Sequence, residues 1–354
     1  MTTDLANTVD LPCAFGGPAG TGRLRVEPED FVVREIPICA PDGAGEHVWL
    51  QVRKRNANTE WVACQIARFA GVAPRDVSYA GLKDRRAVTE QWFSVQLPGR
   101  ADPDWEQLAV EGVTLLQAAR HARKLKRGAL RGNHFEIRVR EFSGSRTAAE
   151  TRLQALAVRG LPNFFGAQRF GHDGGNLEAA ARMLRGEGRR PARHERGLYL
   201  SAARSHLFNQ VLAARVAAGT WDTLLDGEVL QLDGSRAWFG ADGNDPELSR
   251  RLQALEVHPT GPLWGRGELA TRGAARALEL TCLEPWTAWC TGLERAGLEQ
   301  DRRALRVRPA ALSWTWAGAT ELSLTFTLPP GSYATALLRE LVADIDAGPA
   351  EEPP

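Results

Sequence analysis

The sequence has few cysteines, and they lack the spacing of a metal site or a disulfide framework. The 354-residue chain contains five, which are odd in number, widely scattered and without any Cys-x-x-Cys pair: Cys13, Cys39, Cys64, Cys282 and Cys290. Such a set indicates neither paired disulfides nor a zinc centre. The seven histidines are equally dispersed, and none has metalloprotease spacing. The sequence therefore predicts no metal cofactor.

Long apolar runs are also missing. No continuous hydrophobic stretch is long enough to cross a bilayer. The first twenty residues lack both the basic start and the apolar core of a secretory signal. We therefore expect a cytoplasmic protein with no membrane partner.

The motifs of nucleotide-dependent enzymes and serine hydrolases are absent. The glycine-rich segment at 17–23 lacks the Lys followed by Ser/Thr with which a P-loop reaches phosphate and Mg²⁺, and a strand pattern follows it where a helix is needed. The segment at 265–267 falls short of a dinucleotide fingerprint, and no Gly-x-Ser-x-Gly occurs. These absences argue against an unrelated nucleotide-dependent enzyme.

The composition fits a folded protein with a sizeable core. The chain is 43% hydrophobic and 25% charged, with 11 Trp and 12 Phe. Its length allows two domains, or one domain with an insertion. Strand-like segments come first, with one helix candidate between Asn58 and Gly71. Ala-, Leu- and Arg-rich helix candidates follow at 147–160, 176–186 and 201–219, and β-like character returns after residue 305. This order fits a domain inserted into another.

Basic residues are concentrated in one segment, although the net charge is only +1. The run from Arg120 to Arg140 carries eight Lys or Arg and a single acid, Glu136. Such a concentration can neutralise nucleic-acid phosphates. The alternative is a solvated, arginine-rich face. Gly128 and Gly132 make a plain helical surface the poorer interpretation.

One short motif carries a candidate catalytic group. Asp84 lies between Lys83 and the pair Arg85 and Arg86, on a predicted loop between two strands. Neighbouring cations favour the ionised carboxylate, which can act as a nucleophile or a general base. The same cations could cradle phosphate. An exposed turn whose charges satisfy each other is the alternative interpretation of these residues alone.

A second motif combines aromatic and polar side chains. The segment Asn163–Gly171 contains three phenylalanines, Gln168 and Arg169. This composition is typical of surfaces that stack on unpaired bases and contact phosphate. A core turn that buries the three phenylalanines is the alternative, and Arg169 is the hardest of these residues to bury.

The chain resembles the TruD family of tRNA pseudouridine synthases over nearly its whole length. The matching segments are GTGRLRVEPEDFVVREI (20–36), NANTEWVA (56–63), YAGLKDRRAVTEQWF (79–93), RHARKLKRGALRGNHF (120–135), LPNFFGAQRFG (161–171), SAARSHLFNQ (201–210), HPTGPLWG (258–265) and FTLPPGSYATALLREL (326–341). Their order and density make coincidence implausible.

The resemblance implies an α+β protein. A pseudouridine-synthase catalytic domain, with a mixed and mainly antiparallel sheet flanked by helices, would carry an inserted, largely helical domain. The catalytic domain would comprise residues 1–152 and 306–354, and the insert residues 153–305. The resemblance also implies an active-site cleft between the two domains.

The implied reaction breaks the N1–C1′ bond of a uridine, rotates the base and joins C5 to C1′. It needs no cofactor, and the family's catalytic carboxylate corresponds to Asp84. Removal of the C2′ proton, attack on C1′ and attack on C6 all remain open. The cation paired with Asp84 would be Arg25, where the family commonly has lysine.

The resemblance also assigns the substrate pocket. Phe31, Phe135 and Tyr333 would form its walls, and Asn133 would bond the base edge or the ribose. Lys83 is a further expected substrate contact. Tyr333 departs from the family's phenylalanine and adds a hydroxyl. From the strand patterns alone, Phe31 and Phe135 could equally face the core.

The implied substrate is uridine 13 in the D-arm of tRNA. Five basic residues are expected to hold the tRNA body: Arg123, Lys124, Lys126, Arg169 and Arg204. We expect a monomer without an obligate protein partner. The alternative function is a catalytically inactive RNA-binding protein or tRNA chaperone of the same ancestry, against which the intact Leu-Lys-Asp motif argues.

Overall fold

The computed structural model describes residues 11–241 and 245–343, which divide into two compact units. The sheet unit contains Gly20–Gly144 and Ala310–Pro330. The helical unit contains Ser145–Pro309 and Gly331–Val342, together with residues 11–19. The expected domain boundaries at 152/153 and 305/306 stay a prediction.

The strands and helices are numbered in chain order. The strands are β1 Gly20–Arg23, β2 Phe31–Pro37, β3 His47–Arg55, β4 Val77–Tyr79, β5 Val88–Gln96, β6 Val113–His121, β7 Leu130–Gly144, β8 Leu161–Pro162, β9 Val229–Leu232, β10 Trp238–Gly240, β11 Val257–Leu263, β12 Asp301–Ala304, β13 Arg306–Val307, β14 Ala310–Ala317, β15 Glu321–Leu328 and β16 Val342–Ala343. The helices are α1 Thr59–Ala70, α2 Arg146–Arg159, α3 Gly175–Leu184, α4 Arg193–Ala217, α5 Pro246–Gln253, α6 Gly273–Leu283, α7 Thr287–Arg295 and α8 Ala334–Leu338.

The sheet unit is built on a mixed sheet. Its strands lie in the order β14-β15-β7-β2-β5-β3-β6, with β1 beside β7 and β4 beside β5. Strands β2 and β5 are parallel, and the other neighbours along this order are antiparallel. The α+β class with a mainly antiparallel sheet is confirmed.

Helix α1 packs against this sheet, and its ends are those that the sequence predicts. The Asn58 side chain accepts a hydrogen bond from the Glu60 backbone N–H, which caps the first turn. Gly71 ends the helix in the left-handed conformation, at φ 61°. The inward residues join one core with β3 and β5: Val48, Leu50, Val52, Val62, Ile66, Ala70 and Phe93.

The helical unit packs around α4. Its core contains Leu207, Phe208 and Val211 of this helix, and a four-stranded sheet of order β10-β9-β11-β12 lies in the same unit. Helices α2 and α3 agree with the predicted helices to within two residues at each end. Helix α4 begins at Arg193, eight residues before the predicted start. The sequence reading missed these turns because residues 193–197 are polar or glycine and so lack apolar periodicity.

No helix among the described residues combines the length and the apolar composition that crossing a membrane requires.

Candidate active site

Two turns meet at one edge of the sheet unit because β2 and β5 are parallel. Parallel strands start at the same edge, and Val32 of β2 is level with Val88 of β5. Arg25 precedes the first strand and Asp84 the second. The Arg25 Nη2 lies 3.1 Å from the Asp84 Oδ2, although 59 residues separate them in the chain. The Asp84 side chain is 33% exposed and that of Arg25 only 14%. The carboxylate therefore stays accessible while its partner is largely enclosed.

Phe31 supports the Arg25 guanidinium from below. The guanidinium carbon lies 4.1 Å from the centroid of the Phe31 ring, a cation–π contact. Arg25 itself has a left-handed backbone at φ 54°, a conformation that costs a non-glycine residue about 1 kcal/mol. This backbone, the ring and the carboxylate together fix where the guanidinium lies.

The aromatic side chains beneath this pair are buried. Phe31 contacts Phe135 edge to face at 6.3 Å between ring centroids, and Phe135 stacks on Phe326 at 5.2 Å. Phe31 and Phe135 are at most 7% exposed. Phe31 thus contacts Arg25 and itself packs on Phe135, and the predicted contact of these two rings with a base stays a prediction.

Lys83 joins two neighbouring strands through side chains. In the antiparallel register of β2 and β7, Glu35 lies opposite Asn133. The Lys83 Nζ lies 2.8 Å from the Glu35 Oε2 and donates a 2.8 Å hydrogen bond to the Asn133 Oδ1. The Lys83 and Glu35 side chains are 6% and 1% exposed. Lys83 is therefore engaged inside the protein, and Asn133 keeps its amide N–H groups as donors.

Lys54 holds the backbone of the catalytic loop, defined here as residues 80–87. Its ammonium donates to the carbonyls of Ala57 at 2.7 Å, Asp84 at 2.8 Å and Lys83 at 3.5 Å. Burial lowers the pKa of Lys54 to about 8, against the raising effect of Asp84. The positive charge of Lys54 is thus in direct contact with the Asp84 main chain.

Two further side chains fasten the start of the catalytic loop. The Lys83 backbone N–H donates to the Thr59 hydroxyl at 3.1 Å, and this hydroxyl donates to the Gln91 Oε1 at 2.9 Å. The Gln91 amide donates to the Gly81 carbonyl at 3.2 Å. The backbone of the loop is consequently held at Gly81 and at Lys83.

Sequence reasoning missed Glu35, Lys54, Thr59 and Gln91. A signal existed for the first two. Side chains alternate along a strand, so Lys54 lies on the same buried face of β3 as Val52. Glu35 likewise lies on the same buried face of β2 as Val33. A charged residue on the buried face of a strand requires a buried partner, so its position in the sequence pattern predicts such a contact.

The basic loop, defined here as residues 122–129, lies between β6 and β7. Leu125 anchors it in a small core with Trp49 and Trp92, and the Gly128 N–H donates to the Ala80 carbonyl at 2.7 Å. The basic loop is thereby tied to the first residue of the catalytic loop. Three of its predicted RNA contacts are exposed: Arg123, Lys124 and Lys126.

The remaining predicted residues lie in the helical unit. Tyr333 precedes α8, with its ring 6.3 Å from that of Phe165. Arg169 donates to the Ser201 hydroxyl at 3.1 Å and lies over Phe165. The three phenylalanines of the segment 163–171 are buried, as the core-turn interpretation requires.

Arg204 uses its guanidinium within the protein. It donates to the carbonyls of Trp264 at 2.9 Å, Leu263 at 2.7 Å and Glu299. Burial lowers its pKa. Its role in tRNA binding stays a prediction.

The arrangement can support nucleophilic or general-base chemistry at one carboxylate. Asp84 is accessible, while Arg25 and Lys83 are enclosed and ion-paired and Lys54 is enclosed and donates to backbone carbonyls. The hydrogen bond from Arg25 orients the carboxylate, which either role needs. Among the residues that the structure describes, no group of His, Cys, Asp and Glu could hold a metal ion.

The buried pair of Lys83 and Glu35 makes a stability prediction. The change Glu35→Gln leaves the Lys83 ammonium without its carboxylate, so we expect the free energy of unfolding to fall by about 3 kcal/mol. Urea denaturation followed by tryptophan fluorescence measures this. The control Glu29→Gln breaks the exposed pair with Arg55 and should cause the smaller change. Equal effects of the two variants would contradict the account of the buried pair.

Comparison with known proteins places this arrangement in a family. The family model "tRNA pseudouridine synthase D (TruD)" matches residues 14–193 and 191–341. The chain is 51% identical over 333 residues to a tRNA pseudouridine synthase D from Methylococcus capsulatus, with 94% of each chain covered. It is 48% identical over 328 residues to one from Hydrogenovibrio crunogenus, with 93% of this chain and 94% of the relative covered.

The fold is also similar to a solved one. A crystal structure from Methanosarcina mazei, described as a tRNA pseudouridine synthase D (TruD), superposes with a TM-score of 0.71. The match covers 94% of this chain and 95% of that one at 22% identity, so it speaks for the fold alone.

Proposed function

Because the chain belongs to the TruD family of tRNA pseudouridine synthases, we propose that it isomerises a uridine of tRNA to pseudouridine, with Asp84 as the catalytic carboxylate. The expected target is uridine 13 of the D-arm. The observation that carries the assignment of Asp84 is its pairing with Arg25 at 3.1 Å, which leaves the carboxylate partly exposed.

The reaction is an isomerisation, so its atoms balance without a co-reactant. The N1–C1′ bond breaks, the base rotates, C5 bonds to C1′, and the C5 proton leaves as N1 gains one. Asp84 can begin this sequence by taking the C2′ proton, by attacking C1′ or by attacking C6. Each route requires a carboxylate that is charged and held in place, which Arg25 supplies.

The target base must leave its stack to reach Asp84, at a cost of a few kcal/mol. We assign Asn133 to bond the extruded uridine, because Lys83 occupies its amide oxygen and leaves its N–H groups to donate. Lys83 thus contributes to substrate binding by orienting Asn133. Phe31, Phe135 and Tyr333 are the proposed apolar contacts of the base and ribose.

The tRNA body is proposed to lie along the basic loop. Arg123, Lys124 and Lys126 are exposed there, and the loop is bonded to the start of the catalytic loop. Arg169 is a further proposed contact. A tRNA substrate is consistent with a cytoplasmic location, and we propose that the protein acts as a monomer.

Tritium release from tRNA labelled with [5-³H]uridine tests the reaction and the carboxylate together. We expect release by the wild type and none above background by Asp84→Asn, because the amide can neither attack nor accept a proton as the carboxylate does. The control Asp104→Asn changes an exposed helix cap in the same unit and should release tritium at the wild-type rate.

The contradicting results are distinct. A folded wild type that binds tRNA and releases no tritium would favour the inactive RNA-binding protein or chaperone. Release that persists in Asp84→Asn would support the isomerase activity but show that Asp84 is not the catalytic carboxylate.

Salt dependence tests the basic loop. The triple change of Arg123, Lys124 and Lys126 to alanine should weaken tRNA binding and flatten the slope of log Kd against log salt by about 2 to 3, since each lost phosphate contact removes ~0.7–0.9. Filter binding at several salt concentrations measures the slope. A control with Arg23, Arg55 and Arg138 changed to alanine should keep the wild-type slope. The hypothesis is wrong if the two triple variants have equal slopes.

A further inference from the structure

Lys54 is a fully buried cation whose partners are backbone carbonyls. Its exposed fraction is 0%, and it lies in the inward phase of β3 after Leu50 and Val52. Its ammonium has three hydrogens, and three carbonyl oxygens accept from it. Two of these oxygens belong to Lys83 and Asp84. This buried lysine therefore donates to the backbone of the residue that carries the proposed catalytic carboxylate and to the backbone of its neighbour.

The charge of Lys54 is not neutralised by a direct ion pair. Within the described ranges 11–241 and 245–343, no carboxylate lies at ion-pair distance from its Nζ. The nearest charged groups are already occupied, because Arg25 pairs with Asp84 and Glu35 pairs with Lys83. A buried cation with this environment is costly. Core packing alone would be served better by an apolar side chain of similar length.

The carbonyl contacts control the direction of two side chains. The Asp84 carboxylate and the Lys83 ammonium project from the peptide units that Lys54 holds. A shift of this backbone would move the carboxylate away from Arg25 and the ammonium away from Asn133. A displacement of about 1 Å at a reacting group can cost a hundredfold in rate.

We infer, building on the proposed function, that Lys54 is a positioning residue: its charged ammonium fixes the backbone of Lys83 and Asp84 and thereby holds the catalytic carboxylate in its reactive geometry.

The role requires the protonated form of Lys54. A neutral amine has two hydrogens for three carbonyls, and its lone pair would face an oxygen. The pKa of Lys54 is about 8, lowered from 10.5 by burial and by Lys83 and raised by Asp84. Positioning should therefore weaken as the pH rises through about 8. The free energy of unfolding, by contrast, should rise as the pH increases from about 8 to 10.5, because the unfolded chain binds more protons than the folded one in this range.

The variant Lys54→Met tests this role, since methionine fills the space without charge or donors. We expect its single-turnover rate on labelled tRNA at pH 7 to fall about a hundredfold while the tRNA Kd stays within twofold of wild type. The wild-type rate should decline relative to that of the variant as the pH rises from 7 to 9. The control Arg53→Met removes a charge from the neighbouring, half-exposed position of β3 and should keep wild-type kinetics.

Amide hydrogen exchange separates this inference from the proposed function. Without any RNA, exchange at residues 81–87 should be faster in Lys54→Met than in wild type, and in wild type it should gain protection below pH 8 beyond the intrinsic pH effect. If the wild type releases no tritium, the proposed function fails, and the exchange result alone decides whether Lys54 holds the loop. If Lys54→Met does not fold, the pH dependence of wild-type exchange decides. A folded Lys54→Met with wild-type rate, or unchanged exchange at 81–87, would overturn the inference.

Discussion

The pairing of Arg25 with Asp84 depends on the parallel pairing of β2 and β5 in a mainly antiparallel sheet. Because β2 and β5 start at the same edge, the turns before them meet, and two residues 59 positions apart come within 3.1 Å. An antiparallel arrangement of these strands would place the two turns at opposite edges. The candidate site therefore follows from strand direction before any side chain is considered.

The surrounding charges are arranged so that one carboxylate remains available. Glu35 pairs with Lys83, main-chain carbonyls accept from Lys54, and Phe31 covers one face of Arg25. Arg25, Lys83 and Lys54 are thus each held in place by contacts within the protein. Fixed charges of this kind need little reorganisation when substrate binds, which is the property that electrostatic catalysis requires.

The sequence predicted much of this frame. Helix α1 lies between Asn58 and Gly71 as its cap residues indicate, and the strand–loop–strand pattern around Asp84 is confirmed by β4 and β5. Local signals sufficed there because caps and alternation are local properties. The roles of Lys54 and Glu35 were not predicted, since each depends on partners far away in sequence. Arg204 shows the same limit, because its occupation by three carbonyls arises from tertiary packing.

Comparison of Arg25→Lys with Arg25→Met tests the central claim, that a fixed cation beside Asp84 makes its carboxylate reactive. The measurement is the single-turnover rate of tritium release at saturating enzyme, together with the tRNA Kd. Lysine keeps the charge, so we expect Arg25→Lys to stay within about tenfold of wild type and Arg25→Met to lose ~10²–10³-fold, with tRNA affinity unchanged in both. A wild-type rate in Arg25→Met would contradict the claim.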